Sequence, residues 1–298
     1  MKILVTGANG LVGQHLIKLL IDNTAHEIIA TGRGESRIPF ESSPRYHYYL
    51  LDLTLGVDVA AFMAFHHPDI IIHTAATTQV DECEADPVAC YNNNVTATRF
   101  IISAAKEAAA KFIYISTDFV FDGINGPYIE TDTPGPINYY GSTKLAAERS
   151  VMESGLNWCI IRTVLVYGNI LTGNRNNIVS WVQSNLQEGK KIQVVSDQWR
   201  TPTYVEDLAR GILLAIEKNA TGIYHLSGPE MLSPYDMAMA TATHLDLDKT
   251  LIEKVDASIF TQPAKRPAKT GFIIDKARKD LDYTPLAFKE GLRKMLDK

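Results

Sequence analysis

The stretch Lys2-Ile3-Leu4-Val5-Thr6-Gly7-Ala8-Asn9-Gly10-Leu11-Val12-Gly13-Gln14-His15-Leu16 decides the fold. Ile3 to Thr6 read as a short strand. Leu16, Ile17, Leu19, Leu20 and Ile21 read as the apolar face of a helix. Between them Gly7, Gly10 and Gly13 make a turn with no side chain in the way. A dinucleotide needs that combination: a tight turn, close approach of backbone to a diphosphate, and close packing of helix on strand. The diphosphate then meets the free N–H groups and the positive end of the helix dipole. The expected contacts are Gly7, Asn9, Gly10, Leu11, Val12 and Gly13.

Outward from this turn the chain alternates strand and helix. Glu27 to Thr31 is a second strand, ending in Gly32-Arg33-Gly34. An acid about twenty residues past the turn reads a ribose 2′-hydroxyl. Here Arg33 stands at that place, and a guanidinium suits a 2′-phosphate. The reading expects NADP(H), with NAD(H) as the alternative. A third strand, Tyr46 to Leu51, delivers Asp52 and Leu53 to the adenine end. The fourth, Asp69 to His73, is an unbroken apolar run, which implies a sheet covered on both faces. Ala75, Ala76 and Thr78 follow, small enough for a cofactor to lie close to the backbone. A helical stretch from about Pro87 to Ala110 contains Asn92-Asn93-Asn94, with one amide expected to face the core and bond backbone.

The fifth strand, Phe112 to Ile115, runs into Ser116-Thr117-Asp118-Phe119-Val120. In doubly wound sheets ligands sit beyond the carboxyl ends of strands, and Thr117 occupies such an end. A Gly/Pro-rich loop from Asp122 to Pro136 leads to Asn138-Tyr139-Tyr140-Gly141-Ser142-Thr143-Lys144, the start of a helix reaching about Glu153. Tyr140 and Lys144 share a helix face at i and i+4. A phenol beside a cation gives up its proton more readily and can protonate a developing alkoxide.

Past Tyr167-Gly168 the alternation loosens. The polar run Asn169 to Asn177 reads as a mobile loop. A helix from Ile178, strands at Ile192 to Val195 and at Gly222 to Leu226, a helix from Val205 to Glu217, a helix capped by Ser233-Pro234 and a terminal helix from Phe288 to Leu296 complete the reading. The fold class is α/β: a doubly wound parallel sheet (Rossmann) with a smaller interleaved C-terminal substrate domain. The dinucleotide-binding domain covers 1–168 with 197–228 returning to it; 169–196 and 229–298 form the smaller one.

Composition narrows the function. The 298 residues are 46% apolar and 21% charged, with a net charge of −5. That disfavours nonspecific nucleic-acid binding and a polybasic membrane patch. No apolar run approaches a membrane span, and a strand begins too early for a signal peptide. Cys83, Cys90 and Cys159 show no zinc-like spacing, the eight histidines no metal-ligand pattern. The cysteines read as reduced thiols in a cytoplasmic protein, and no metal is expected.

Taken in order, Gly7-x-x-Gly10-x-x-Gly13, Asn94-Val95, Thr117 and Tyr140-x-x-x-Lys144 resemble the extended branch of the short-chain dehydrogenase/reductase family over nearly the whole chain. Within it, Ser116 to Gly123, Tyr140 to Leu145, Asp197-Gln198 with Pro202-Thr203, Val80-Asp81 with Glu84 and Pro87, and Arg266-Pro267-Ala268 are similar to dTDP-4-dehydrorhamnose reductases and their relatives. The resemblance implies catalytic Thr117, Tyr140 and Lys144. Tyr140, Lys144 and Asn94 would also serve the cofactor. Thr117, Asp118, Val120, Arg200 and Arg266 would meet a nucleotide-sugar substrate, the two arginines at its diphosphate. It also implies a possible homodimer. The chain departs at Lys269-Thr270, where the group usually has Asn-Ser, and at Trp199-Arg200. Alternatives are an epimerase or a 4,6-dehydratase. The dehydratase lacks its second acid here, since Phe119 follows Asp118, and the epimerase is disfavoured by Arg33. A third alternative is a non-catalytic NADP-binding regulatory subunit, like the relative that partners methionine adenosyltransferase.

Overall fold

Seven parallel strands form the main sheet of this computed structural model, which describes residues 1–40, 43–174 and 176–297. In chain order the strands of the described residues, with β7–β9 and β8–β11 forming two separate pairs, are β1 (Lys2–Thr6), β2 (Glu27–Gly32), β3 (Tyr46–Leu50), β4 (Ile70–His73), β5 (Lys111–Thr117), β6 (Trp158–Thr163), β7 (Val166–Tyr167), β8 (Ile192–Val195), β9 (Thr203–Tyr204), β10 (Gly222–His225) and β11 (Ile252–Val255). The helices are α1 (Leu11–Asn23), α2 (Gly56–His66), α3 (Val80–Ala85), α4 (Pro87–Tyr91), α5 (Ala97–Glu107), α6 (Tyr139–Met152), α7 (Ile178–Gln187), α8 (Val205–Glu217), α9 (Pro234–His244), α10 (Asp275–Leu281) and α11 (Phe288–Leu296). The sheet order is β10-β6-β5-β4-β1-β2-β3. The order reverses between β1 and β4, which opens a crevice beyond their carboxyl ends.

The alternation of side chains along each strand sorts the core into two layers. Ile3, Val5, Ile28, Ile72, Ile113 and Ile161 pack with residues of α1 and α8 on one face. Leu4, Ile29, Ile71, Phe112 and Ile160 pack with α2, α5 and α6 on the other. Every residue of β4 and β5 is buried, as the unbroken apolar runs require. A smaller layer joins α7, α9, β8 and β11. The stretch Phe272 to Tyr283, with α10, packs into the large core.

Two expectations change. The helix expected from Pro87 to Ala110 carries a π-turn at Asn92–Thr96, a device that recurs at functional sites. Cys83 and Cys90 form a disulfide, while Cys159 is free and buried. The reading of three reduced thiols is thereby corrected. Asp86 caps α4 and Pro87 starts it, and this corner between α3 and α4 brings the two Cα atoms to 5.1 Å. Sequence spacing cannot show such a corner.

The polar run after Gly168 has no regular structure where it is described, and it is tied to α1. Gln14, fully buried in α1, accepts from the N–H groups of Leu171 (2.9 Å) and Thr172 (3.1 Å) and donates to the Thr172 carbonyl (2.9 Å). His15 bonds the Asn169 carbonyl at 2.7 Å. Arg175, inside the same run, lies outside the described residues. Among the described residues no helix is long and apolar enough to cross a membrane, and no cluster of His, Cys, Asp and Glu could hold a metal.

Candidate active site

The glycine turn is built as the sequence requires. Gly7 has φ +71°, and a Cβ there would stand 2.7 Å from the Ala75 nitrogen. The strand-to-helix turn thus lies directly against the segment after β4. Gly10 is the N-cap of α1, with no side-chain cap and no acid in the first turn. The positive end of the helix is left to an anion from outside.

Two cavities follow the carboxyl edge of the sheet and share Ala76. The smaller, 140 Å³, is lined by Gly7, Gly32, Arg33, Asp52, Leu53, Ala75 and Ala76 among others. Arg33 and Asp52 therefore meet at one end of the groove. Asp52 accepts from the backbone and hydroxyl of Thr54 (2.9 and 2.8 Å), which holds its carboxyl below the usual range. The larger, 470 Å³, brings together Leu11, Val12, Thr78, Thr117, Asp118, Tyr140, Lys144, Arg200 and Arg266. A third cavity of 520 Å³ lies between α9 and α11. It contains none of the expected catalytic groups, so chemistry assigns the site to the 470 Å³ cleft. The extended groove fits a dinucleotide: small residues line its middle, Arg33 and Asp52 one end, Lys144 and Tyr140 the other.

Three elements position the reacting groups. Thr117 ends β5. Its hydroxyl donates to Asp118 Oδ1 (3.1 Å) and accepts from the Phe119 N–H (3.3 Å). Asn138 caps α6 through the Gly141 N–H (2.8 Å), and Glu84 of α3 accepts from the Tyr139 N–H (2.8 Å). Tyr140 then lies mostly buried, edge-on to Phe119 with ring centroids 6.0 Å apart. Lys144 is buried. It donates to the Ile115 carbonyl at 2.7 Å and sits 4.1 Å above the Tyr114 ring. Burial pushes its ammonium down to about 7, with Glu148 opposing.

Asn94 is buried behind the cleft. Its amide accepts from the Thr77 N–H (2.8 Å) and donates to the Thr77 carbonyl (3.1 Å) and the Thr143 hydroxyl (3.0 Å). The backbone bond expected of one amide is therefore Asn94's, and its side chain holds the segment after β4 against α6. The Asn94 carbonyl accepts from Thr98 (2.7 Å), whose oxygen lies 3.0 Å from His73 Nε2. That hydroxyl proton is committed to Asn94, so Nε2 carries hydrogen and Nδ1 accepts from Thr6 (2.7 Å). Burial, then Lys144, push His73 down to about 3, so it remains a neutral link between β1, β4 and α5.

Other expected residues have different occupations. Asn9 ties the loop after β2: its amide donates to the carbonyls of Arg33 (3.3 Å) and Glu35 (3.0 Å) and accepts from the Arg37 N–H (2.8 Å). Val120 is fully buried in the core. It sits in the 3₁₀ turn Asp118–Val120 and does not line the cleft as it stands in this structure. Arg200 lines the cleft but is buried, donating to the carbonyls of Trp199 (2.8 Å), Ala268 (3.2 Å) and Pro267 (2.7 Å) and standing 3.7 Å from Asp118. Arg266 makes a two-pronged pair with Asp81 at 2.9 and 2.6 Å. Asp118 is buried; burial raises its carboxyl, while Arg200 and a hydroxyl bond from Thr270 pull it down. Thr270, flagged as a departure, is thus the partner of the acid beside Thr117.

Sequence reasoning missed Gly141 as a contact. A Cβ there would overlap the Phe119 carbonyl oxygen. The first turn of α6 is pressed onto the backbone that follows Thr117, and only glycine allows it.

The same arrangement has relatives. Residues 1–298 match the RmlD substrate binding domain. The dTDP-4-dehydrorhamnose reductase of Aggregatibacter actinomycetemcomitans is 29% identical over 98% of this chain and 97% of that protein. Methionine adenosyltransferase 2 subunit beta of Xenopus tropicalis is 32% identical over 85% of this chain and 75% of its own. The crystal structure of dTDP-4-dehydrorhamnose reductase from Bacillus anthracis, in complex with NADP, superposes with a TM-score of 0.85 at 30% identity, covering 99% of this chain and 98% of that one. The match takes in the sheet, the groove and the smaller layer alike, and the chain belongs to the RmlD substrate binding domain family, of extended short-chain dehydrogenase/reductase fold.

Proposed function

We propose that the chain is an NADPH-dependent reductase of a nucleotide-linked 4-keto sugar. The observation that carries this is the meeting of Thr117, Tyr140 and Lys144 in one 470 Å³ cleft that continues, through Ala76, into the groove at Gly7 and Arg33. When bound, NADPH supplies the hydride. Gly7, the N-terminus of α1 and Ala75-Ala76 would hold its diphosphate. Arg33 would pair its 2′-phosphate, and Lys144 its nicotinamide ribose. Thr117 turns its hydroxyl from Asp118 to the substrate carbonyl and orients it. Tyr140 delivers its phenolic proton to the alkoxide oxygen, and the Lys144 ammonium stabilises the phenolate left behind. The division of labour between 1–168 with 197–228 and 169–196 with 229–298 belongs to this proposal. So does a homodimer.

The test is NADPH oxidation with dTDP-4-keto-rhamnose. Tyr140→Phe should lower kcat by roughly 10²–10⁴-fold without loss of fold. Equal turnover by the variant overturns the role of Tyr140. The likeness to methionine adenosyltransferase 2 subunit beta favours a second reading, a regulatory subunit. A stoichiometric protein partner together with inactivity across a panel of nucleotide sugars would select it.

A further inference from the structure

Tyr140, Lys144 and Glu148 follow one another at i, i+4 and i+8 on α6, so they share one face, and all three are buried. The mechanism uses the first two. Glu148 is fully buried, as few carboxylates are unless paired. Its partner is Arg162 of β6, itself buried, in a fork-to-fork pair of 2.9 and 2.7 Å. Such a pair fixes both planes. Arg162 also lies over the Phe121 ring at 5.1 Å, so the carboxylate is held from the sheet side and cannot swing away.

We propose that Glu148, clamped by Arg162, is a positioning residue for proton transfer: its carboxylate is the counter-charge that keeps Lys144 an ammonium beside Tyr140. The proposal rests on the reductase reading for its consequence, though not for its geometry. Lys144 has a carbonyl and an aromatic face for neighbours, neither of which carries charge. His73 from β4 and Tyr114 from β5 act on it, Tyr140 and Glu148 share its helix face, and Asp118 lines the same cleft. His73 is neutral and Asp118 is held by Arg200 and Thr270, which leaves Glu148 as the carboxylate on the lysine's own face. Burial drives the ammonium towards neutrality and Glu148 opposes it. Without that carboxylate nothing on this helix face opposes the effect of burial, the ammonium is less populated at any given pH, and Tyr140 loses part of the cation that stabilises its phenolate.

The experiment reads Lys144 directly. Protein carrying carbon-13-labelled lysine is titrated by NMR, with Lys144→Met assigning the signal. Glu148→Gln should lower the Lys144 titration point by about one pH unit, because it removes the anion and leaves Arg162 uncompensated. That variant can fail to fold, so the double variant Glu148→Leu/Arg162→Met, which replaces the pair with apolar groups, accompanies it. It should shift Lys144 in the same direction but less, since a more distant cation leaves too. In NADPH oxidation, activity should fall first at the alkaline end of the pH profile, while Glu148→Asp restores part of it. A folded double variant with an unmoved Lys144 overturns the proposal. A wild-type protein with no reductase activity leaves the Lys144 titration readable, so that failure is distinct.

Discussion

The contact between Gly141 and the Phe119 carbonyl yields the sharpest test of how the site is assembled. Gly141 lies in the first turn of α6 at helical geometry, where alanine is intrinsically better by roughly 0.5–1 kcal/mol. Propensity alone predicts that Gly141→Ala stabilises. The structure predicts the reverse. The added methyl would overlap the Phe119 oxygen and stand 3.0 Å from both the Phe119 carbonyl carbon and Pro136 Cβ. Relief needs α6 to retreat by about 1 Å from the Thr117 end of β5. Overpacking of this kind costs about 1–3 kcal/mol. The net loss is therefore about 0–2.5 kcal/mol, or a Tm lower by up to about 10 °C at about 2–4 °C per kcal/mol.

Activity should suffer more than stability. The retreat moves Tyr140 and Lys144 together, away from the carbonyl oriented by Thr117, and a misplacement near 1 Å can cost on the order of 10²-fold. The assay is kcat and KM for NADPH-dependent reduction alongside Tm. Gly135→Ala is the control, since a Cβ there meets nothing closer than 3.9 Å. A Gly141→Ala protein with wild-type kcat, or with a Tm raised by the propensity term alone, refutes the reasoning.

Lys144→Met should abolish reduction yet raise Tm at neutral pH. The folded lysine titrates near 7 and the unfolded one near about 10.4. Between these values the unfolded chain binds the extra proton, so wild-type stability rises with pH. The advantage of the variant should thus be full below pH 7 and fade towards about pH 10 in a series of Tm measurements; a constant difference contradicts it. Arg33→Ala should raise the KM for NADPH by roughly 10–100-fold and leave that for NADH nearly unchanged, the loss expected for a charged hydrogen bond. Equal effects on both cofactors would remove Arg33 from the 2′-phosphate. Thr270→Val deprives buried Asp118 of a hydroxyl donor and should destabilise by about 1–3 kcal/mol in urea unfolding; an unchanged midpoint would show that Arg200 and Thr117 satisfy the acid without it.

What the sequence made legible was local. β1, the glycine turn and α1 are neighbours in the chain, and apolar periodicity reports them directly. The bounds of α8 and α11 fall where their apolar faces place them, and α9 starts at the Ser233-Pro234 cap. Tyr140 and Lys144 could be paired because helical spacing is a local property. The illegible features all require distant segments to meet. Asp118 finds Thr270 across 152 positions, Arg266 finds Asp81 across 185, and Gln14 holds Thr172 across 158. The π-turn at Asn92–Thr96 follows from packing around Thr77 and Thr143, and the Cys83–Cys90 bond from the corner at Asp86-Pro87.

The two arginines expected at the substrate diphosphate now divide. Arg200 is 5% exposed and held by three carbonyls. Moving it would strand those acceptors and uncover Asp118, at the several kcal/mol expected for a broken buried pair, so it can offer a substrate positive potential but no reach. Arg266 and Asp81 are 20% and 42% exposed at their side chains, in the range where an ion pair contributes only about 0–1 kcal/mol. A diphosphate carries more charge than a carboxylate and accepts the same two-pronged geometry. Exchange of Asp81 for phosphate therefore costs little. Asp81 also accepts from the Ala264 N–H at 3.1 Å, so releasing Arg266 leaves the carboxylate anchored to the loop that carries the guanidinium. Of the two, Arg266 is therefore the one we propose as the diphosphate clamp, with Asp81 as its partner in the free protein.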